Sequence, residues 1–119
     1  MENKHYETTF VFFADLSAEE TEAIVAKYVT LLKEKNAEIV HQYDIEHRKL
    51  AYPIQKRLDA QYQTIEFAGP TSLIQNLELR YKHDEKILRF LTVHLDKKGI
   101  AYKAEQRKNI AVEKKENLN

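Results

Sequence analysis

The chain has 119 residues and no cysteine. That length allows one domain, and the missing thiols exclude a disulfide framework, a thiolate metal site and a cysteine nucleophile. Nineteen Lys and Arg balance nineteen Asp and Glu, for a formal net charge of zero, so bulk charge does not mark a polyanion binder.

The first element is Tyr6 to Phe13, rich in aromatic and β-branched residues, which reads as a strand. Its end, Phe10-Val11-Phe12-Phe13, is apolar on both faces, as expected for a central strand. Ser17-Ala18-Glu19-Glu20 forms a capping box, and Ile24, Val25, Tyr28, Val29, Leu31 and Leu32 follow at helical spacing. The spacing predicts a helix over 17–35, with Asn36 as its left-handed stop.

Glu38 to Tyr52 alternates as a long strand. Ile39, Tyr43 and Ile45 share one parity, while Leu50 and Tyr52 share the other. A bulge or bend is therefore expected between Ile45 and Leu50. Pro53 ends the ladder, Arg57 to Asp59 suit a hairpin loop, and Gln61 to Phe67 is a third strand broken by Gly69-Pro70. Thr71 is placed to cap a second helix over 71–81, with Leu73, Ile74, Leu77 and Tyr81 as its buried stripe. Ile87 to Leu95 is a fourth strand, again apolar on both faces.

This order predicts an α+β, ferredoxin-like split βαβ fold (βαββαβ), with a four-stranded antiparallel sheet and two helices on one face. The first and last strands are expected side by side in the middle of the sheet. The face opposite the helices is left free for a partner.

The charge is uneven. Residues 1–95 carry twelve cationic and fifteen acidic side chains, whereas 96–119 carry seven against four. We divide the chain into a domain over 1–96 and a basic, flexible, partly helical extension over 97–119. The extension is suited to lie on a polyanion; otherwise it is a solvated tail without a partner.

Few residues suggest catalysis. With glycine only at 69 and 99 there is no phosphate-binding loop, so no nucleotide cofactor is expected. Five histidines lack zinc-site spacing, and no metal is expected. His41 and His47 could share a strand face, although solvent-facing histidines are the plainer reading. Asp84-Glu85 reads as a linker and Ser17 as a cap, so no catalytic set remains. If the domain were instead a small ligand-binding or enzymatic one, His41, Tyr43 or His47 would mark its pocket. No apolar run approaches the roughly 18 residues of a membrane span, and Met1 to Tyr6 has no signal-peptide core, so a cytoplasmic protein is expected.

The cations are more informative. Arg48-Lys49 and Lys56-Arg57 flank the end of the long strand. Arg80, Lys82, Lys86 and Arg89 cluster around the end of the second helix, with Tyr81 and Phe90 among them. Such groups suit backbone phosphates and unstacked bases, though they also occur as solvated rims. The third strand lacks the Lys/Arg-Gly-aromatic context of an RNA-recognition motif, so base stacking of that kind is not expected.

Arg48-Lys49-Leu50-Ala51-Tyr52-Pro53-Ile54-Gln55-Lys56 resembles the signature of the bacterial small-subunit ribosomal protein six family. The likeness extends to Tyr6-Glu7-Thr8, Ile65-Glu66-Phe67, Leu77-Glu78-Leu79-Arg80 and Asp84-Glu85-Lys86-Ile87-Leu88-Arg89-Phe90-Leu91-Thr92-Val93, covering roughly 4–96. It departs at Glu46-His47 and at Asp59-Ala60, where similar members carry glycine. The resemblance implies a non-enzymatic role in the small ribosomal subunit. There the protein would bind the central, platform domain of the small-subunit rRNA together with small-subunit ribosomal protein eighteen. It implies RNA contacts at Lys4, Arg80, Lys82, Lys86 and Arg89, and a protein-partner contact at Arg48, Leu50 and Tyr52. For Leu50 and Tyr52 the alternative is core packing. No membrane or small-molecule partner is implied.

Overall fold

The computed structural model describes residues 4–54 and 57–117, with the side chains of 51, 54 and 109–117 outside that description. The elements run β1 (Lys4–Phe13), α1 (Ala18–Glu34), β2 (Glu38–Gln42), β3 (Glu46–Ile54), β4 (Arg57–Gly69), α2 (Ser72–His83), β5 (Arg89–Leu95) and α3 (Lys97–Asn117). The sheet is antiparallel, in the order β2-β4-β1-β5, with β3 also pairing β4. The predicted long strand is thus split in two, and both halves run along β4. Its interruption falls at Tyr43 to Ile45, before the expected window, and further register shifts lie at Ile39/His41 and Lys49/Ile54.

Strand alternation assigns the two faces. Tyr6, Thr8, Phe10 and Phe12 of β1 and Ile65 and Phe67 of β4 point toward α1 and α2. They meet Ile24, Tyr28 and Leu32 from α1 and Leu73, Leu77 and Tyr81 from α2 in the main core. Phe10, Tyr28 and Tyr81 pack ring against ring, with centroids 4.7 to 5.4 Å apart. The buried Thr8 hydroxyl lies 2.9 Å from Tyr81 Oη and 2.8 Å from Thr92 Oγ1, so the polar atoms inside this core have partners.

The helix ends follow local chemistry. Ser17 Oγ accepts the Glu20 amide at 3.1 Å, as the capping box predicts. Asn36 takes φ 67°, the left-handed stop. Thr71 differs: its side chain makes no cap bond, and Tyr6 Oη donates to it at 3.3 Å instead. Among the described residues Asn36 is the only non-glycine residue with positive φ, so Glu46-His47 and Asp59-Ala60 need no glycine. Arg57 to Asp59 belong to β4 rather than to a loop, and the hairpin turn with Lys56 falls outside the described residues.

Two expectations about the sheet are corrected. Strands β1 and β5 do pair, but β5 is an edge strand; the middle is held by β1 and β4. Its second apolar row, Leu91 and Val93, stands exposed at 65% and 38%, so the pattern reflects an uncovered face and not central burial. The face opposite α1 and α2 is also not wholly free, because α3 folds back over part of it.

Candidate nucleic-acid and partner interface

The open face is built in cross-strand rows. One row runs Glu46, Tyr62, Val11 and Arg89 across β3, β4, β1 and β5. Here the Arg48 guanidinium lies 5.0 Å from the Tyr62 ring centre, and its Nε donates to Glu46 Oε2 at 2.9 Å. Together with Arg89, Leu91 and Lys103 these groups line a cleft of about 850 Å³. It is a shallow surface of mixed charge: Arg48, Arg89 and Lys103 share it with Glu7, Asp44 and Glu46, beside the aromatic planes of Tyr43, Tyr62 and Phe90.

The predicted RNA contacts divide. Arg80 and Lys82 are exposed in the last turn of α2, Lys86 is exposed in the turn after it, and exposed Arg89 starts β5. These four gather at one end of the molecule. Asp84 organises that end: it accepts Tyr28 Oη at 2.7 Å, Lys27 Nζ at 3.1 Å and the Lys86 amide at 3.0 Å. Burial works to raise the Asp84 carboxyl, but those donors outweigh it and hold the group below its ordinary value. Lys4 stands apart. It pairs with Gly69 while Arg89 pairs with Val11, so about seven strand residues, roughly 23 Å, separate them.

The partner candidates divide as well. Leu50 is 6% exposed and packs with Val11 and Ala60 in a small second core on the open face, which is the packing alternative. Tyr52 is 78% exposed, which overturns that alternative for its ring. Arg48 is exposed and already paired with Glu46.

A further cluster was not singled out from the sequence. Glu7 and Glu66 face each other across β1 and β4. Lys103 Nζ lies 2.9 Å from Glu7 Oε2, and Arg107 Nη1 donates to Glu66 Oε1 at 2.8 Å. Burial works to lower both cations; Glu7 for Lys103, and Tyr43 and Glu66 for Arg107, outweigh it and raise them. The available signal was an acid on each strand at a position of the parity opposite to its core-facing residues, and two cations four residues apart in the tail.

The rival pocket assembles only in part: the His41 and Tyr43 rings meet edge to face with centroids 4.4 Å apart and Tyr43 lines the cleft, but His47 lies on the other face. His41 pairs with Glu66 on the open face and His47 with Gln61 on the other. Among the described residues no group of three or more His, Asp or Glu side chains is placed to hold a metal. No helix among them is long and apolar enough to cross a membrane.

The ribosomal protein S6 family model matches residues 5–94. Small ribosomal subunit protein bS6 of Parabacteroides distasonis is 42% identical over 103 residues, 87% of each chain. The protein of the same name from Phocaeicola vulgatus is 39% identical over 93% of this chain and 96% of its own. The solved 30S ribosomal protein S6 of Thermotoga maritima superposes with a TM-score of 0.74 at 25% identity, over 91% of this chain and 98% of that one. With the family model spanning nearly all of β1 to β5, and relatives this similar over most of their length, the chain belongs to the ribosomal protein S6 family.

Proposed function

We propose that this protein binds the central, platform domain of small-subunit rRNA as one half of a pair with small-subunit ribosomal protein eighteen. Family membership is the observation that carries the reading. Relatives named as small ribosomal subunit proteins make the chain a structural, non-enzymatic constituent of that subunit and a binder of its rRNA. Its place of work is the cytoplasmic ribosome.

The mechanism is thermodynamic. Arg80, Lys82, Lys86 and Arg89 neutralise phosphates and release counterions, with Lys4 as a separate contact farther along the sheet. Arg48 and Tyr52 meet the protein partner, and Leu50 holds their strand from beneath. The zero net charge of the chain supports the shared arrangement, since a neutral protein gains most of its polyanion affinity from a basic companion. The domain over 1–96 binds, and the basic extension over 97–119 adds cations beside it.

Filter binding of platform RNA tests this directly. The isolated chain should bind weakly, and addition of the partner should tighten binding at least about tenfold, a gain of about 1.4 kcal/mol. Equal affinity with and without the partner would overturn the paired reading.

A further inference from the structure

The two acids facing each other on the open sheet pose an electrostatic problem. Glu7 and Glu66 sit directly opposite on the two central strands, where like charges destabilise a sheet. Glu66 is fully buried and the Glu7 side chain only 15% exposed. Uncompensated, such a pair would not stay charged.

Helix α3 supplies the compensation. Asp96 Oδ1 accepts the Gly99 amide at 2.7 Å and starts the helix. One turn past Gly99, Lys103 meets Glu7, and one turn beyond that Arg107 meets Glu66. The match is geometric: side chains four residues apart on a helix are about 5–6 Å apart at Cβ, and directly opposed strand residues about 4.5–5.5 Å. A helix laid across these strands with two cations at that spacing can reach both carboxylates.

As an occupant, α3 fits incompletely. None of its described side chains is fully buried, and Tyr102 is 60% exposed. It therefore adheres through two partly buried ion pairs and little apolar area. Arg107 uses only one carboxylate oxygen. The buried Glu66 Oε2 has no hydrogen-bond partner among the described residues, although a guanidinium can serve both oxygens of one carboxylate.

We propose that Glu7 and Glu66 form a docking seat for a basic helix of a protein partner, one with two cations four residues apart, and that α3 is its displaceable resident. This goes beyond the RNA reading above. Lifting α3 would expose the seat and at the same time free Lys103 and Arg107.

The test uses the full chain and a fluorescein-labelled peptide copying residues 97–117 as probe, read by anisotropy at low salt. The Lys103→Glu/Arg107→Glu chain, whose own helix is repelled, should bind the probe at least about tenfold more tightly than the unmodified chain. Adding Glu7→Gln and Glu66→Gln should remove that gain. If charge reversal disturbs folding, Lys103→Gln/Arg107→Gln serves the same purpose. Equal binding by unmodified and variant chains, or a gain that survives loss of both carboxylates, would overturn the proposal. So would dimerisation of the unmodified chain that the charge reversal abolishes, since the seat would then belong to a second copy. The probe contains no RNA, so this proposal and the RNA reading fail separately.

Discussion

The Tyr28 hydroxyl donates to Asp84 Oδ2 at 2.7 Å, joining the middle of α1 to the residue that ends α2. Burial first, and then that acceptor, push the Tyr28 hydroxyl far above the usual tyrosine range. It is therefore a neutral, permanent donor. The ring is fully buried and stays in place when only the oxygen is removed. Tyr28→Phe should lower stability by about 1–2 kcal/mol, read as a lower denaturant midpoint with an unchanged slope. An unchanged midpoint would mean the bond contributes nothing net.

Asp84 also sets an acid limb. Its carboxyl is depressed in the folded chain despite its burial. Its contribution is therefore fully present above the unfolded value of about 3.9 and lost as pH falls through the lower folded value. Urea denaturation from neutral pH into that range should show the unmodified chain losing stability more steeply than Asp84→Asn. Parallel curves would remove Asp84 from the acid response.

Leu50 and Tyr52 are close in sequence and opposite in burial. Leu50→Ala opens a cavity against Val11 and Ala60 and should cost about 2–3 kcal/mol in chemical denaturation. Tyr52→Ala should stay within about 0.5 kcal/mol, because the ring is exposed. Under the proposed function, Tyr52→Ala should instead weaken association with the partner protein, measured by calorimetric titration.

Arg89 makes the cleanest separation of binding from folding. It is exposed at the start of an edge strand. Arg89→Ala should weaken platform-RNA binding by the paired proteins and reduce the salt slope by about 1, the signature of one lost phosphate contact. Its thermal transition should remain cooperative. Loss of that transition would make Arg89 a structural residue.

Features encoded within a few neighbouring residues were legible. The Ser17 cap, the left-handed Asn36 and the two apolar helix stripes each depend on short spacing, and the structure carries all three. Thr71 looked equivalent to Ser17, yet it takes helical backbone angles from which its hydroxyl makes no cap bond. Features that depend on register were not legible. Strand β5 is apolar on both faces whether its second face meets a core or a solvent-facing partner surface, and the letters do not distinguish these. The tail's positive charge could be counted, but the seating of Lys103 and Arg107 depends on Glu7 lying opposite Glu66. That pairing exists only once β1 and β4 have come together from distant parts of the chain. Of the candidate contacts, Arg80, Lys82, Lys86 and Arg89 come together at one end, while Lys4 lies at the other end of β1.

The edge position of β5 has a consequence for the molecule before assembly. Its outer side presents a row of backbone amides and carbonyls with no neighbouring strand among the described residues, beside exposed Leu91 and Val93. Such a row is a template on which another strand can add. Free copies not yet built into a ribosome can therefore pair along this edge, which makes β5 a place where the unassembled protein can self-associate.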